Sequence, residues 1–330
     1  VIKRLTLFDC GGKVQATLQD IARHLDVSAA TVSNALNGRG RVSPALAERI
    51  RATAQALDYR PSPQARALRT GRSGVIGLVL PDISNPLFPA FAQAVEALAA
   101  AKGMGVLIAD SMGDSDAQTQ ALRRMVRQGA DGIIVIPRRG TQVAALGLPV
   151  AVIDTPSTPG NTVSSDHRGG GALAVTHLAA LGHRHLMFLG ESRASSVQTD
   201  RISGMIDALH PGMTARTHWL ETGPIPLSTP ASAIIATSDL HALTALTTLH
   251  RAGRRVPNDI SIIGFDDHAF GRAIAPALTT VAQDTATIAA HAIDSLLAQL
   301  NDQPPLPNAV VPMTLITRES TAPCQTGDTP

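Results

Sequence analysis

The chain has 330 residues, 44% of them hydrophobic and 16% charged, which is enough apolar material for a large core and enough length for two or three domains. No apolar run reaches the roughly 20 residues of a membrane helix, and residues 1–15, VIKRLTLFDCGGKVQ, lack the apolar stretch and small-residue cleavage site of a secretory leader; they read as a disordered extension of a cytoplasmic protein. The net charge of +2 conceals a division, because residues 1–72 hold 12 of the 28 Lys and Arg against 5 of the 26 Asp and Glu, about +7, which leaves the remainder near −5.

The first predicted elements lie in 16–37, ATLQDIARHLDVSAATVSNALN. Thr17 caps a helix whose third position is Asp20, and Leu18, Ile21, Ala22 and Leu25 recur at helical spacing. Asp26 and Val27 break that pattern. Ser28 then caps a second short helix on which Val32 and Leu36 face inward, while Ala29, Ala30, Thr31, Ser33 and Asn34 are small or polar. Such a face suits a DNA major groove, where a recognition helix needs close approach and hydrogen-bonding groups. Ser43-Pro44 is a cap followed by proline at the first helical position. It opens a third helix reaching about Asp58 and burying Leu46, Ile50, Ala54 and Leu57. Residues 16–60 are therefore expected to form a helix-turn-helix domain. In 61–73, Ser62-Pro63 announces a helix of barely two turns, too short to stand alone in water, so this hinge needs a partner to fold.

These residues, TLQDIARHLDVSAATVSNALNG followed by VSPALAERIRATAQALDYRPSPQARALRTGRSGVIGLVLPDISNPLF, resemble the LacI/GalR family of bacterial transcription repressors. The resemblance continues with gaps through DISIIGFDD, PALTTVAQD and LITRESTAP, covering residues 16–323. It implies an all-α helix-turn-helix head joined to a two-lobed, periplasmic-binding-protein-like α/β domain with parallel sheets. It also implies a homodimer on pseudo-palindromic operator DNA, controlled by a small-molecule effector in the interlobe cleft, with no cofactor and no metal. Arg66 and the minor-groove wedge Leu68 join the DNA-binding residues through it. Two departures stand out: Asp26 occupies a turn position where glycine is usual, which aspartate tolerates in a left-handed conformation, and Asn34 replaces a frequent Arg or His, so the resemblance does not carry over the family's usual operator sequence.

From Gly74 apolar strands alternate with amphipathic helices, the pattern of a parallel sheet covered on both faces. Strands are expected at 75–80, 105–109, 132–136 and 150–154, with helices at 87–101 and 116–128. A second unit begins near Asp166, with strands at 185–190, 216–220, 232–236 and 261–265 and helices at 170–181, 201–209 and 240–252. The late helix 285–300 returns to the first lobe, and 309–316 ends in the second. Residues 324–330 read as a tail.

Ligands of open parallel sheets sit beyond the carboxyl ends of the strands. Polar residues occur there, and the resemblance picks out Asn85 and Phe88 after the first strand, Asp154 after the fourth, Arg201 opening a helix, and Asp266 after GF. Carboxylates and a guanidinium suit adjacent hydroxyls and an aromatic face suits a ring, so the effector is expected to be a sugar. Pro224, Pro226 and Pro230 forbid a crossover helix in 221–233, which thins one wall of the second lobe and leaves the pocket positions near Trp219 and Ser238 unsettled. Segment 138–148 is likewise short for a crossover. His183 and His185 read as surface residues at a strand start rather than a metal pair, and Cys10 and Cys324 as lone tail thiols. A soluble sugar-binding protein would share the lobes but have no use for residues 17–70. An α/β enzyme is the other alternative, yet there is no Walker motif, nucleophile elbow or GxGxxG after a strand.

Overall fold

The computed structural model describes residues 16–59, 71–143 and 146–324. The chain divides into two compact units between Ser73 and Gly74. In the first, α1 (Leu18–Leu25), α2 (Ala29–Leu36) and α3 (Pro44–Ala56) close a small core around Ile21, Ala22, Val32, Ala35, Ile50 and Ala54. Thr17 and Asp20 form a reciprocal capping box. Asp26 takes φ 54° and ψ 48°, so the turn keeps its left-handed shape without glycine, and its amide donates to the Ala22 carbonyl. Two inward residues differ from expectation. Ala35 is buried where Leu36 is only half-buried, and Leu57 is exposed because α3 ends at Ala56, making Leu57 the cap.

The second unit contains two six-stranded sheets. The first lobe is built on β1 (Val75–Leu80), β2 (Gly105–Asp110), β3 (Gly132–Val135), β4 (Val150–Ile153), β5 (Asn161–Ser165) and β11 (Ala309–Val311), in the spatial order β11-β5-β4-β3-β1-β2. Helix α4 (Leu87–Ala101) and the late helix α9 (Thr285–Leu300) cover one face through Phe91, Val95, Ile288 and Leu296, and α5 (Ser115–Arg127) covers the other through Leu122 and Met125. The second lobe is built on β6 (His185–Gly190), β7 (Thr214–Trp219), β8 (Ala233–Ala236), β9 (Ser261–Phe265), β10 (Thr279–Ala282) and β12 (Thr314–Ile316), in the order β12-β10-β9-β8-β6-β7. All pairs are parallel except β10 with β12. Helices α6 (His167–Ala180) and α7 (Ser196–Asp207) pack on one face of this sheet and α8 (Asp239–Arg251) on the other.

The chain crosses between lobes after β5, after β10 and between β11 and β12. Residues 309–316 therefore do not end wholly in the second lobe. Ala309–Val311 pairs with β5 in the first sheet, and only Thr314–Ile316 reaches the second. No crossover helix connects β7 to β8; a single turn at Leu220–Thr222 leads into irregular chain. That chain still seals the core with Ile225 and Ala231. The sheet tolerates the thinner cover because β7 sends Ala215 and Trp219 to the opposite core, so alternation leaves Thr214, Arg216 and His218, all polar, on the thinned side.

His183 is not a surface residue. It is buried beneath the returning chain, one ring nitrogen bonded to Ser232 Oγ at 2.9 Å and the other to the Ala322 carbonyl at 3.0 Å. His185, half-buried, bonds Thr214 Oγ1. Among the described residues no group of His, Cys, Asp or Glu could hold a metal ion. Cys324 is half-buried, with its amide docked on the Leu181 carbonyl.

Candidate functional sites: a recognition helix and an interlobe cleft

In the head, the inward face of α2 is spent on Val32 and Ala35, which leaves Ala30 and Asn34 exposed and Ala29, Thr31 and Ser33 half-exposed. Thr17 and Ser28 are exposed but occupied: Thr17 Oγ1 donates to Asp20 Oδ2 at 2.7 Å, and Ser28 Oγ accepts the Thr31 amide at 3.0 Å. Both therefore orient the first turns of α1 and α2, whose unpaired backbone N–H groups are natural phosphate donors. The exposed cations Arg39 and Arg41 follow in the loop, and Arg23 on α1 is only loosely paired to Asp20 at 3.3 Å. Arg66 and Leu68 lie outside the described residues.

The second site is assembled by α7. Arg201 does not open this helix as expected; the helix starts five residues earlier because Ser195 caps it, its Oγ accepting the Gln198 amide. Arg201 consequently sits mid-helix, 3% exposed, where its guanidinium bonds Asp266 Oδ1 at 2.8 Å and the Thr237 carbonyl at 2.5 Å, and its Nε reaches His167 Nδ1 at 3.4 Å. It also lies 4.6 Å over the Phe265 ring. His167 is neutral, since burial and the neighbouring guanidinium both hold its pKa well below the usual imidazole value. The helix reaches this depth because it meets α6 backbone to backbone: a Cβ on Gly171 would strike the Arg201 carbonyl, and one on Gly204 the Arg168 carbonyl.

Asp266 is aimed by an unusual backbone, φ 97°, at the end of β9, with its amide fixed to the Val281 carbonyl at 2.9 Å. Asp267, at φ 50°, is clamped by Arg272 and Arg318. A second donor to Asp266 Oδ1 is Gln283 Nε2 at 2.7 Å, and Gln283 Oε1 in turn accepts from Ser165 Oγ at 2.6 Å. Ser165 and Gln283 stand at two of the three interlobe crossings, so one chain of hydrogen bonds runs from these crossings through Asp266 to Arg201.

Asp154, at the end of β4 in the first lobe, accepts from Thr158 Oγ1 at 2.7 Å and from Ser196 Oγ of the second lobe at 3.4 Å. Burial raises its pKa, and the carboxylate of Asp200, also raised by burial, adds to the effect. Asn85 and Phe88 follow β1. Asn85 Oδ1 accepts the Leu87 amide at 3.0 Å, and Phe88 is half-buried against the first-lobe core. Of the five expected effector residues, Arg201 and Asp266 are joined directly and Asp154 touches their lobe through Ser196. Among the described residues no hydrogen bond or ion pair joins Asn85 or Phe88 to those three.

A model of the lacI family of bacterial regulatory proteins matches residues 17–62, and a periplasmic binding protein-like domain matches 175–321. The ribose operon repressor of Halalkalibacterium halodurans is 30% identical over 92% of this chain and 97% of its own length, and the HTH-type transcriptional regulator GalR of Escherichia coli is 32% identical over 92% and 95%. The chain belongs to the LacI family. This LacI-family chain is also similar to a Lac repressor dimer solved with operator and the anti-inducer ONPF, at TM-score 0.82 and 25% identity over 93% of this chain and 99% of that one. A LacI family regulator from Enterococcus faecium with bound ribose matches at TM-score 0.65 and 25% identity over 76% and 99%. The protein is thus a DNA-binding transcriptional regulator with an effector domain, and its relatives are regulators rather than enzymes. Among the described residues no helix is long and apolar enough to cross a membrane.

Several cleft residues escape sequence reasoning. Gln283 lies within PALTTVAQD but has no pattern that marks a relay. His167 and Ser165 flank Asp166, which reads only as a unit boundary. Trp219 is buried in the second-lobe core, and Ser238 caps α8, its Oγ accepting the His241 amide at 3.2 Å.

Proposed function

We propose that this protein is a dimeric repressor whose operator affinity is set by a sugar bound between the lobes, with Asn85, Phe88, Asp154, Arg201 and Asp266 as its contacts. The observation that carries the reading is the Arg201–Asp266 pair, 2.8 Å apart and almost fully buried beyond the carboxyl end of β9, with a hydrogen-bonded connection through Gln283 to the interlobe crossings. A buried ion pair is weak evidence for stability by itself, and polar groups converging in a cleft match a polyhydroxylated ligand. Asp154 adds an acceptor from the opposite lobe. A relative named as a ribose operon repressor and a solved LacI family regulator with bound ribose support the sugar class.

At the head, α2 enters the major groove with Ala29, Ala30, Thr31, Ser33 and Asn34. Thr17 and Ser28 position the helix ends on phosphates, and Arg66 and Leu68 act in the hinge. The site of action is the cytoplasm, where operator DNA is reached. A second copy of the chain is expected on the first-lobe edge, where strand β2 exposes Leu107 and Ile108 and the neighbouring loops expose Ile83 and Met112.

The test combines a thermal-shift screen of pentoses, hexoses and disaccharides on the full chain with a gel shift on DNA from its own upstream region. A sugar that raises the midpoint and changes the gel shift supports the reading. Stabilisation by a purine, or by no member of the sugar set, would overturn the sugar assignment while leaving the DNA assignment to the gel shift alone.

A further inference from the structure

We propose that Asn34 selects an adenine in each operator half-site, its carboxamide bonding the adenine N6 amino group and N7 together. The inference rests on α2 being the recognition helix. The residues of that helix and its cap, taken in turn, single out position 34. Val32 and Ala35 face the core and cannot reach DNA. Ala29 and Ala30 carry no hydrogen-bonding side chain, but their small size lets the start of the helix lie close to the base edges. Thr31 Oγ1 is engaged with Ser28 Oγ at 2.9 Å, and Asn37 turns its Nδ2 back onto the Ser33 carbonyl at 2.6 Å. Asn34 is exposed, and among the described residues its carboxamide has no hydrogen-bond partner. Ser33 offers one rotatable hydroxyl, which is compatible with any base.

The base follows from the chemistry of the amide. A carboxamide presents one acceptor and one donor pair in a plane. Adenine presents the complement in the major groove, an acceptor at N7 beside a donor at N6. Guanine presents two acceptors, so the Asn carbonyl would face N7 or O6 unfavourably; thymine offers one acceptor beside a methyl group, and cytosine one donor.

The turn after α2 holds the side chain ready. Gly40 has φ +76°, and a Cβ there would come to 3.2 Å from Asn34 Nδ2, while the Arg39 amide donates to the Asn34 backbone carbonyl at 2.9 Å. The missing side chain at Gly40 leaves the carboxamide room beside the loop, and the loop limits where it can swing.

The experiment is enrichment of randomised duplexes by the full-length protein, followed by affinity measurements on the winning site. The expected result is a half-site with one adenine that Asn34→Ala stops selecting while other positions keep their preference. Replacing that adenine by 7-deazaadenine should weaken wild-type binding between roughly 5- and 150-fold and leave Asn34→Ala binding unchanged. Asn34→Arg should shift the preferred base at the same position to guanine. Circular dichroism is expected to match wild type in both variants, because the side chain is outside the core, and the added cation of Asn34→Arg is expected to raise affinity for random DNA. If wild type enriches a site but Asn34→Ala selects the same bases throughout, or the wild-type site is indifferent to 7-deazaadenine, the assignment to Asn34 is overturned and the DNA-binding reading survives. If wild type enriches no duplex, both fall.

Discussion

Arg201→Ala is expected to damage the fold before it damages ligand recognition. The substitution deletes three hydrogen bonds, to Asp266, the Thr237 carbonyl and His167, together with the contact over Phe265. Asp266, with a side chain 3% exposed, would keep Gln283 as a donor but lose its charged partner in a buried site. Removing one partner of such a pair costs about 3–5 kcal/mol, whereas replacing both by apolar groups of similar volume is often close to neutral. For a unit of this size about 4 kcal/mol corresponds to a fall in Tm of roughly 10 °C. Thermal and urea unfolding of the purified variant supply the measurement. The double variant Arg201→Met, Asp266→Leu is expected to recover most of the lost stability while remaining insensitive to effector, which separates the structural role of the pair from its role in binding. Loss of less than about 1 kcal/mol in Arg201→Ala would refute the reasoning, because a desolvated carboxylate left with one neutral donor cannot be that cheap.

Three further outcomes are expected. Burial lifts the Asp239 carboxyl to about 7, so the folded state holds a proton that the unfolded chain releases near its ordinary value of 3.8. Stability should therefore fall as pH rises through that window, by up to about 1.4 kcal/mol per unit. Urea midpoints from pH 4.5 to 8 test this, and a slope unchanged in Asp239→Asn would assign the effect elsewhere. Gln283→Leu cuts the link between Ser165 and Asp266 and should reduce the effect of the sugar on operator affinity by about 5-fold or more while effector-free affinity stays put; an unaltered response would remove Gln283 from the coupling. Operator affinity should also drop steeply with salt, with a strongly negative slope of log K against log salt as Arg39, Arg41 and their neighbours displace counterions. A flat response would contradict phosphate binding by the head.

What the sequence reveals tracks how locally each feature is determined. The head is legible because caps and helical spacing act within a few residues: Thr17, Ser28 and Ser43 each bond the amide three residues on, as their positions foretell. Buried parallel strands such as VIGLVL are legible as unbroken apolar runs. Strand β5, NTVSS, is not, because all its buried side chains but Val163 are polar and some of them find partners at a distance: Thr162 Oγ1 accepts the Val152 amide and Asn161 Oδ1 the Asp154 amide, while Ser164 Oγ is buried without a partner among the described residues. The start of α7 is hidden for a different reason. Ser192, Ser195 and Ser196 stand close together, and nothing local in the sequence marks Ser195 as the one that caps. The burial of His183 depends on residue 322 returning over it, a contact with no local signal.

On the proposed function, ligand between the lobes and DNA at the head are thermodynamically coupled through this chain. Coupling of binding equilibria is reciprocal: the factor by which the sugar changes operator Kd must equal the factor by which operator changes sugar Kd. Titrating fluorescent operator at zero and saturating sugar, and sugar at zero and saturating operator, under one salt condition gives both factors. Equal factors of about 5-fold or more are predicted; tight sugar binding with an unchanged operator Kd would contradict the account.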